Sequence, residues 1–430
     1  MKHVPGMFFL VMSGAVAVSC SNSTGGHDDT LPDTATDIVS GDSDTTDLGS
    51  DGTPDTLTAC PDGFCPAGPG YAPDPTKMGP YPVGVRTVIL VDHNPTNLNE
   101  DGTPRELRTE IWYPTTEEYR DGPHTVYAPL DEAPADLLPL FEGLDPGSID
   151  TPAVRDAPVR PAGAPYPLVL FSHGAFAVRY QSVFFTVKLA SHGYVVISPD
   201  HQNNTIWDLF RKGFDRELLG YSAWHRPLDA TFLMDQMTEW TKDPANDFFQ
   251  IIDTDHMGAS GHSFGGFTST AAACLIPEVK AIVAMSPAAE MTFLSGCAPQ
   301  DLPGAKMIMG GLMDNTLDYE VSYKGPWEMM PPPKWLLTLA RGGHYTFTDM
   351  CRFNLAEVAE KTGYSDAKEA MTDGCGAENW DFKEAQEAIN LYAIGFFNRY
   401  LRGSPDSDKY LTPEAGKSYG NEIDLAVVKE

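Results

Sequence analysis

Basic side chains are the scarce component of this 430-residue sequence: 29 Lys and Arg stand against 60 Asp and Glu, a formal charge of −31. A chain of that charge repels phosphate backbones and anionic headgroups, which argues strongly against nucleic acid as a partner. Long apolar runs are scarce too. The longest covers residues 7–18, too short to span a bilayer. Neither Cys-x-x-Cys nor His-Glu-x-x-His occurs, so zinc chemistry has no foothold and no metal ligand set is expected. Glutamate is absent from the first 80 residues, where eleven Asp face only Lys2 and Lys77. The cluster Asp42, Asp44, Asp47 and Asp51 therefore lacks the closing Glu of a calcium loop and reads as a solvated charge run.

What the chain does hold is 42% hydrophobic residues, enough for a sizeable core. They are unevenly placed. Residues 21–78 are mostly Asp, Thr, Ser, Gly and Pro, a composition that cannot bury enough apolar surface to offset its ordering entropy, and a disordered acidic linker is expected there. Residues 1–20 read as a secretory signal: Lys2, the apolar run, then Ala17-Val18-Ser19-Cys20. Those last four residues resemble a bacterial lipobox, which implies cleavage before Cys20, lipidation of its sulfur and a lipid anchor at the outer membrane or cell surface. Export changes how cysteine is read. Besides Cys20 there are six, and an even number in an oxidising compartment favours disulfides. Neighbour pairing (Cys60 with Cys65, Cys274 with Cys297, Cys351 with Cys375) is the expectation among fifteen possible connectivities.

From about residue 79 the texture changes to apolar runs broken by turn residues. Strand-like runs occur at 83–91, 106–113, 168–172, 194–198, 256–260, 279–286, 306–309 and 335–339. Helical stripes lie between and after them: Ala230, Leu233, Met234 and Met237, then Ala385, Ala388, Ile389, Tyr392 and Phe396. Two strands without a helix between them, followed by alternating strands and helices, predict an α/β fold whose central sheet is mostly parallel after an antiparallel start. The expected layout is one catalytic domain over 79–405, with 121–165 as a Pro-rich excursion over the sheet and 406–430 as a tail.

The fifth strand-like run ends in Gly261-His262-Ser263-Phe264-Gly265-Gly266, and a helix-like segment follows. Strand, Gly-x-Ser-x-Gly, helix is the setting of a nucleophile elbow, where glycines permit a strained turn that exposes the serine hydroxyl. Serine needs a base to take its proton. Of eleven histidines only His344 lies after Ser263, which fits the order Ser, acid, His found in α/β-hydrolases. It sits in the Gly-rich loop Arg341-Gly342-Gly343-His344-Tyr345, after the last strand-like run. The acid has several candidates; Asp314, at the end of the run 307–313, is preferred to Glu290 because its task is to orient the imidazole. The oxyanion donors would be backbone N–H groups, one from Phe264 and one from Ala175 in Ser172-His173-Gly174-Ala175-Phe176. His173 precedes Ser263 and reads as a structural histidine. Phe176, Trp207, Trp224, Met313 and Trp327 are candidate pocket walls.

Several segments together resemble one family: Gly79-Pro80-Tyr81-Pro82-Val83-Gly84-Val85-Arg86, Ile111-Trp112-Tyr113-Pro114, Phe171-Ser172-His173-Gly174, Ser191-His192-Gly193-Tyr194, Arg226-Pro227-Leu228-Asp229, the elbow, Gly343-His344-Tyr345 and Phe396-Phe397-Asn398-Arg399-Tyr400-Leu401. As a set they are similar to bacterial dienelactone-hydrolase-like proteins and, more distantly, to secreted platelet-activating factor acetylhydrolases. That resemblance implies the α/β-hydrolase fold and a serine ester hydrolase without a cofactor. Two departures qualify the substrate. Dienelactone hydrolases use a cysteine nucleophile where this chain has Ser263. Plasma-type acetylhydrolases place their acid soon after the strand following the elbow, where this chain offers Ser286 and Glu290. An acid at Asp314 resembles cutinase-like and polyester hydrolases instead.

The expectation is an exported serine carboxylic-ester hydrolase acting on a small-molecule or lipid ester of short acyl chain. Platelet-activating-factor-like phospholipids are among the substrates the resemblance implies. The alternatives are a polyester hydrolase, a peptidase, or a catalytically inactive surface binding protein on the same fold. Oligomeric state is not legible.

Overall fold

The computed structural model describes residues 72–430. The expected signal with Cys20, the linker up to residue 71, and Cys60 and Cys65 lie outside the described residues. Within them the chain forms β1 (Val83–Asp92), β2 (Arg105–Pro114), β3 (His124–Tyr127), β4 (Ile149–Arg155), β5 (Tyr166–Ser172), β6 (Val195–Pro199), β7 (Ile252–His262), β8 (Val279–Met285), β9 (Ala305–Gly311), β10 (Lys334–Leu339) and β11 (Ile423–Val428). These make one sheet in the order β11-β10-β9-β8-β7-β5-β6-β2-β1-β4-β3. The six strands from β6 to β10, with β5 between β6 and β7, pair in parallel. β2 runs antiparallel to β1 and β6.

Parallel strands covered on both faces need apolar residues at nearly every position, which is why their sequences are continuous rather than alternating. The period of two still sorts them. Leu168, Leu170, Val195 and Ile197 face the helices α3 (Arg216–Lys242) and α4 (Phe264–Leu275). Val169, Phe171 and Val196 face α1 (Val183–Ser191) and α8 (Phe382–Tyr400) on the other side. Shorter helices α2 (Ile206–Lys212), α5 (Gly325–Met329), α6 (Leu355–Lys361) and α7 (Lys368–Met371) lie in the connections. The start of α8 follows from its cap: the Asp381 carboxylate accepts from the Lys383 and Glu384 N–H groups. Its stripe Ala385, Ala388, Ile389, Tyr392 and Phe396 is then wholly buried.

The eight strand-like runs all appear as strands, and three further strands extend the sheet. β3 and β4 arise in the expected excursion 121–165 and pair antiparallel at one edge. β11 arises in the expected tail and pairs antiparallel with β10, Leu425 opposite Leu337. The last residues of the expected linker also pack on the fold: Ala72 is buried, and the Lys77 carbonyl accepts from His192 Nε2 at 3.0 Å.

One buried ion cluster ties the excursion down. Arg179, after β5, donates to Glu110 of β2 (3.0 Å), to Asp200 after β6 (2.8 Å) and to Glu132 of the excursion (2.7 Å). Removing one member of such a cluster leaves buried charges unpaired. Arg179→Met is expected to lower unfolding stability by about 3–5 kcal/mol, read by urea denaturation.

Candidate active site

β7 ends against the first turn of α4, and Ser263 joins them with φ 56° and ψ −120°. A serine in the left-handed region costs about 1–3 kcal/mol and persists only where its surroundings fix it. Here they do. Its N–H donates to Met285 O at 2.9 Å, and its carbonyl accepts from Gly266 at 2.9 Å and Ala288 at 3.1 Å. The motif's glycines are required by close approach. A Cβ on Gly265 would stand 1.9 Å from Ser172 O, and one on Gly261 would stand 2.3 Å from Gly265 O. The elbow can therefore press onto the end of β5, where the Ser172–Phe176 loop begins. That contact brings Gly174 against the serine: a Cβ on Gly174 would lie 3.4 Å from Ser263 Cβ. Phe264 N–H heads α4 and so has no intrahelical acceptor. Ala175 follows Gly174 in the facing loop.

Asp314 follows β9 and His344 follows β10, on neighbouring strand ends of the sheet. His344 Nδ1 lies 2.8 Å from Asp314 Oδ2, and both side chains are almost fully buried. Tyr323 donates its hydroxyl to the same carboxylate oxygen. The other oxygen accepts from Thr316 N–H (2.9 Å) and Leu317 N–H (2.8 Å). Burial opposes ionisation of Asp314, but His344, Tyr323 and the Leu317 N–H outweigh it and hold its pKa below the ordinary carboxylate value. Burial likewise opposes the imidazolium, yet the Asp314 charge raises the His344 pKa above the ordinary 6.5. Glu290 stands elsewhere. It lines an open groove of about 480 Å³ with Phe293, Val321 and Met329, its Oε2 has no partner, and burial raises its pKa. The structure thus brings Asp314, and not Glu290, onto His344.

Among the pocket-wall candidates, Trp207 lines an apolar cavity of about 60 Å³ with Ala177, Phe210 and Phe353. Phe176 instead packs on Phe214, and Trp224 is exposed. Cys274 and Cys297 are disulfide-bonded, with Cα atoms 6.2 Å apart. So are Cys351 and Cys375, at 5.3 Å. Among the described residues no group of three or more His, Cys, Asp or Glu side chains is arranged to hold a metal ion.

Two polar assemblies were invisible in the sequence. Asp373 accepts from Asn315 N–H (2.9 Å) and Thr316 Oγ1 (2.8 Å), while its carbonyl accepts from Tyr345 N–H (2.7 Å). It thus clasps the acid loop to the histidine loop, and the Cys351–Cys375 bridge anchors its segment. The second assembly lies under the Ser172 loop. Ser172 Oγ is 2.9 Å from His201 Nε2, and His201 Nδ1 is 2.9 Å from Asp229 Oδ2. Arg105 completes it with two 2.8 Å hydrogen bonds to Asp229. This serine, histidine and aspartate are all fully buried, so they meet no substrate. Burial, then Arg226, pushes the His201 pKa down to about 3, so it stays neutral. Ser172 and Asp229 lie in the segments Phe171-Ser172-His173-Gly174 and Arg226-Pro227-Leu228-Asp229, but nothing in the chain's spacing marks His201 or Arg105 as their partners.

A solved structure with this architecture is a ferulic acid esterase from Streptomyces cinnamoneus. It aligns with TM-score 0.60 and 23% identity, covering 80% of this chain and 96% of its own. The chain has the α/β-hydrolase fold. Residues 72–213 of this hydrolase fold match the family model described as platelet-activating factor acetylhydrolase, isoform II. The platelet-activating factor acetylhydrolase of Cavia porcellus is 28% identical over 145 residues, and that of Bos taurus 30%. Each match takes in 32% of this chain and spans only 30% of the relative's length. The family match includes the Ser172–Phe176 loop and ends before Ser263, Asp314 and His344.

The His344–Asp314 pair generates a prediction on pH. A base accepts a proton only when neutral, so if His344 has that role, activity is expected to be lost as pH falls through its raised pKa, with the acid limb displaced upward from that of an ordinary histidine. Asp314→Asn removes the charge that raises it. The rate is expected to fall by about 10³–10⁴-fold and the acid limb to move down. Glu290→Gln is expected to leave rate and limb close to those of the parent protein. Initial rates across a pH series check both.

Proposed function

We propose that the chain is a serine carboxylic-ester hydrolase in which Ser263 is the nucleophile, His344 the base and Asp314 the orienting acid. The observation that carries this reading is the His344–Asp314 hydrogen bond on strand ends beside a serine held in the left-handed conformation. Asp314 accepts from Nδ1–H, which leaves Nε2 of His344 as the proton acceptor. Ser263 Oγ then attacks the ester carbonyl as its proton passes to His344. The carbonyl oxygen becomes an oxyanion, met by the N–H groups of Ala175 and Phe264 at about 3 kcal/mol per donor. His344 protonates the leaving alcohol, and a water activated by the same imidazole releases the acid from Ser263.

Short acyl esters are the proposed substrate class, phospholipid esters with an acetyl-sized chain among them. The names of the relatives support an acetyl ester, and that of the structural neighbour supports an ester bond generally. Two disulfides support an oxidising compartment, and the Ala17-Val18-Ser19-Cys20 segment supports export with attachment through Cys20. Among the described residues no helix is long and apolar enough to cross a membrane. The same reading takes the described residues as one catalytic domain.

The test uses a fluorophosphonate probe and an ester series. The protein is expected to be labelled at Ser263, and Ser263→Ala to abolish labelling; labelling that persists in the variant moves the nucleophile elsewhere. On p-nitrophenyl esters from acetate to octanoate, kcat/KM is expected to be highest at the short end, with hydrolysis of a short-acyl phospholipid alongside. A maximum at octanoate overturns the chain-length assignment. Absence of both labelling and turnover favours the binding-protein alternative.

A further inference from the structure

Gln181 and His262 are buried, polar and unused by the mechanism above. Their hydrogen bonds can be assigned without ambiguity, because the assembly begins and ends on backbone groups whose roles are fixed. Gly174 N–H can only donate, so the Gln181 atom it meets at 2.7 Å is the amide oxygen. The Gln181 NH₂ therefore points the other way, at His262 Nδ1, also 2.7 Å away. That nitrogen must accept, so the proton of neutral His262 sits on Nε2. Nε2–H then meets the carbonyl oxygen of His344, which can only accept, at 2.9 Å.

Four groups in line thus join three segments that are far apart in sequence. Gly174 belongs to the loop carrying the proposed oxyanion donor Ala175. His262 immediately precedes Ser263 in the elbow. His344 is the proposed base, and the group held is its own backbone. Gln181 is itself anchored. Its carbonyl accepts from Asp349 N–H at 2.8 Å, and the next residue, Ser182, donates its hydroxyl to Phe347 O at 3.3 Å. No water can replace these bonds at fully buried atoms, so each missing partner leaves an unsatisfied polar group. Burial first, and then the neighbouring His344, push the His262 pKa well below its ordinary value, which agrees with a neutral ring in this role. The His262 and His344 ring centroids are 4.6 Å apart, so a displacement of one is felt by the other.

We propose that Gln181 and His262 are positioning residues that lock the oxyanion loop and the backbone of the catalytic histidine onto the elbow through the relay Gly174 N–H, Gln181, His262, His344 C=O. The proposal rests on Ser263 and His344 as nucleophile and base, but the relay is testable separately from that reading. It makes a chemical demand no ordinary packing role makes: the donors must all run in one direction. Gln181→Glu is nearly isosteric and keeps the acceptor for Gly174, yet puts a carboxylate oxygen where Nδ1 needs a donor. His262→Gln keeps one acceptor and one donor in the order of the imidazole, whereas His262→Leu removes both.

The first measurement is spectroscopic and needs no turnover. In protein labelled with ¹⁵N-histidine, with the signal assigned by His262→Gln, two-bond proton–nitrogen correlation is expected to show His262 as the neutral Nε2–H tautomer at neutral pH. A Nδ1–H tautomer or an imidazolium overturns the relay, whatever the enzyme does. The second measurement is kinetic, on a p-nitrophenyl ester that the unaltered protein hydrolyses. Gln181→Glu and His262→Leu are expected to lower kcat by about 10- to 100-fold, the scale of a small misplacement of reacting groups, with KM changed by less than about twofold. His262→Gln is expected to recover most of that loss. Unchanged kcat in folded Gln181→Glu, or equal losses in His262→Gln and His262→Leu, overturns the proposal. Should Ser263 prove not to be the nucleophile, Ser263→Ala will still label, or the unaltered protein will not label at all, while the tautomer still reads Nε2–H, so the two failures are distinguishable.

Discussion

The backbone contact between the elbow and the end of β5 is the constraint on which the rest of the site depends. Ser172 O occupies the place where any side chain on Gly265 would have to go. Only with glycine there can β7 turn into α4 tightly enough to bring Ser263 beside the Ser172–Phe176 loop. The same contact fixes where the loop's N–H groups point, because β5 and β7 are neighbouring parallel strands in register from Leu168 to Ser172. Below the contact, Ser172 Oγ is held by His201 and Asp229, so the strand end is gripped through its backbone by glycines and through its side chain by a buried network. Preorganised donors stabilise developing charge only when their positions are set before the charge appears. This double grip would set those of the proposed donors.

Charge is handled differently inside and outside. The chain carries −31, yet its interior holds buried arginines, among them Arg179, Arg105 and Arg226. Arg179 satisfies three carboxylates and Arg105 satisfies Asp229. Arg226 is the outlier. It is fully buried, donates to His173 O at 2.5 Å, and lies over the Phe264 ring at 4.9 Å, while its Nε and Nη1 have no partner. Burial lowers its pKa to about 9, which still leaves it cationic at neutral pH. A positive group in low dielectric beneath the loop that supplies the proposed oxyanion donors favours negative charge above it. The negative total and the locally positive interior are therefore separate features, and the second would favour the oxyanion of the proposed reaction.

Legibility in the sequence followed how local each signal was. Strands buried on both faces announced themselves as continuous apolar runs, and the elbow did so as a six-residue motif. Chain order alone singled out His344, because no other histidine follows Ser263. Asp314 was preferred from its place at a strand end, and its bond to His344 Nδ1 agrees with that choice. The edge strands were missed for a physical reason. β3 alternates exposed and buried residues over four positions, and β11 has only Leu425 fully buried, so neither has an apolar run to show. The polar assemblies were missed for another. Gln181 and His262 are 81 residues apart, and Asp373 and Thr316 are 57 apart. No periodicity connects such pairs; only the folded sheet does.

Asp314 and His344 themselves sit on loops rather than within regular elements, and such loops are ordinarily where a structure is most mobile. The proposed triad would lose its advantage on mobile loops, since a displacement of about 1 Å can cost a hundredfold in rate. The fold answers with brackets from two sides. Asp373, tethered through the Cys351–Cys375 bridge, joins the acid loop to the histidine loop. Gln181 and His262 join the histidine loop to the elbow and the oxyanion loop. Both brackets act on backbone atoms near His344, not on its ring. The imidazole itself is held at Nδ1 by the hydrogen bond to Asp314 and by ring contacts with His262 and Tyr345, and in the proposed mechanism Nε2 is the atom that exchanges a proton. The brackets thus hold the main chain around His344, which is what the proposed base would require to accept and return a proton in each cycle.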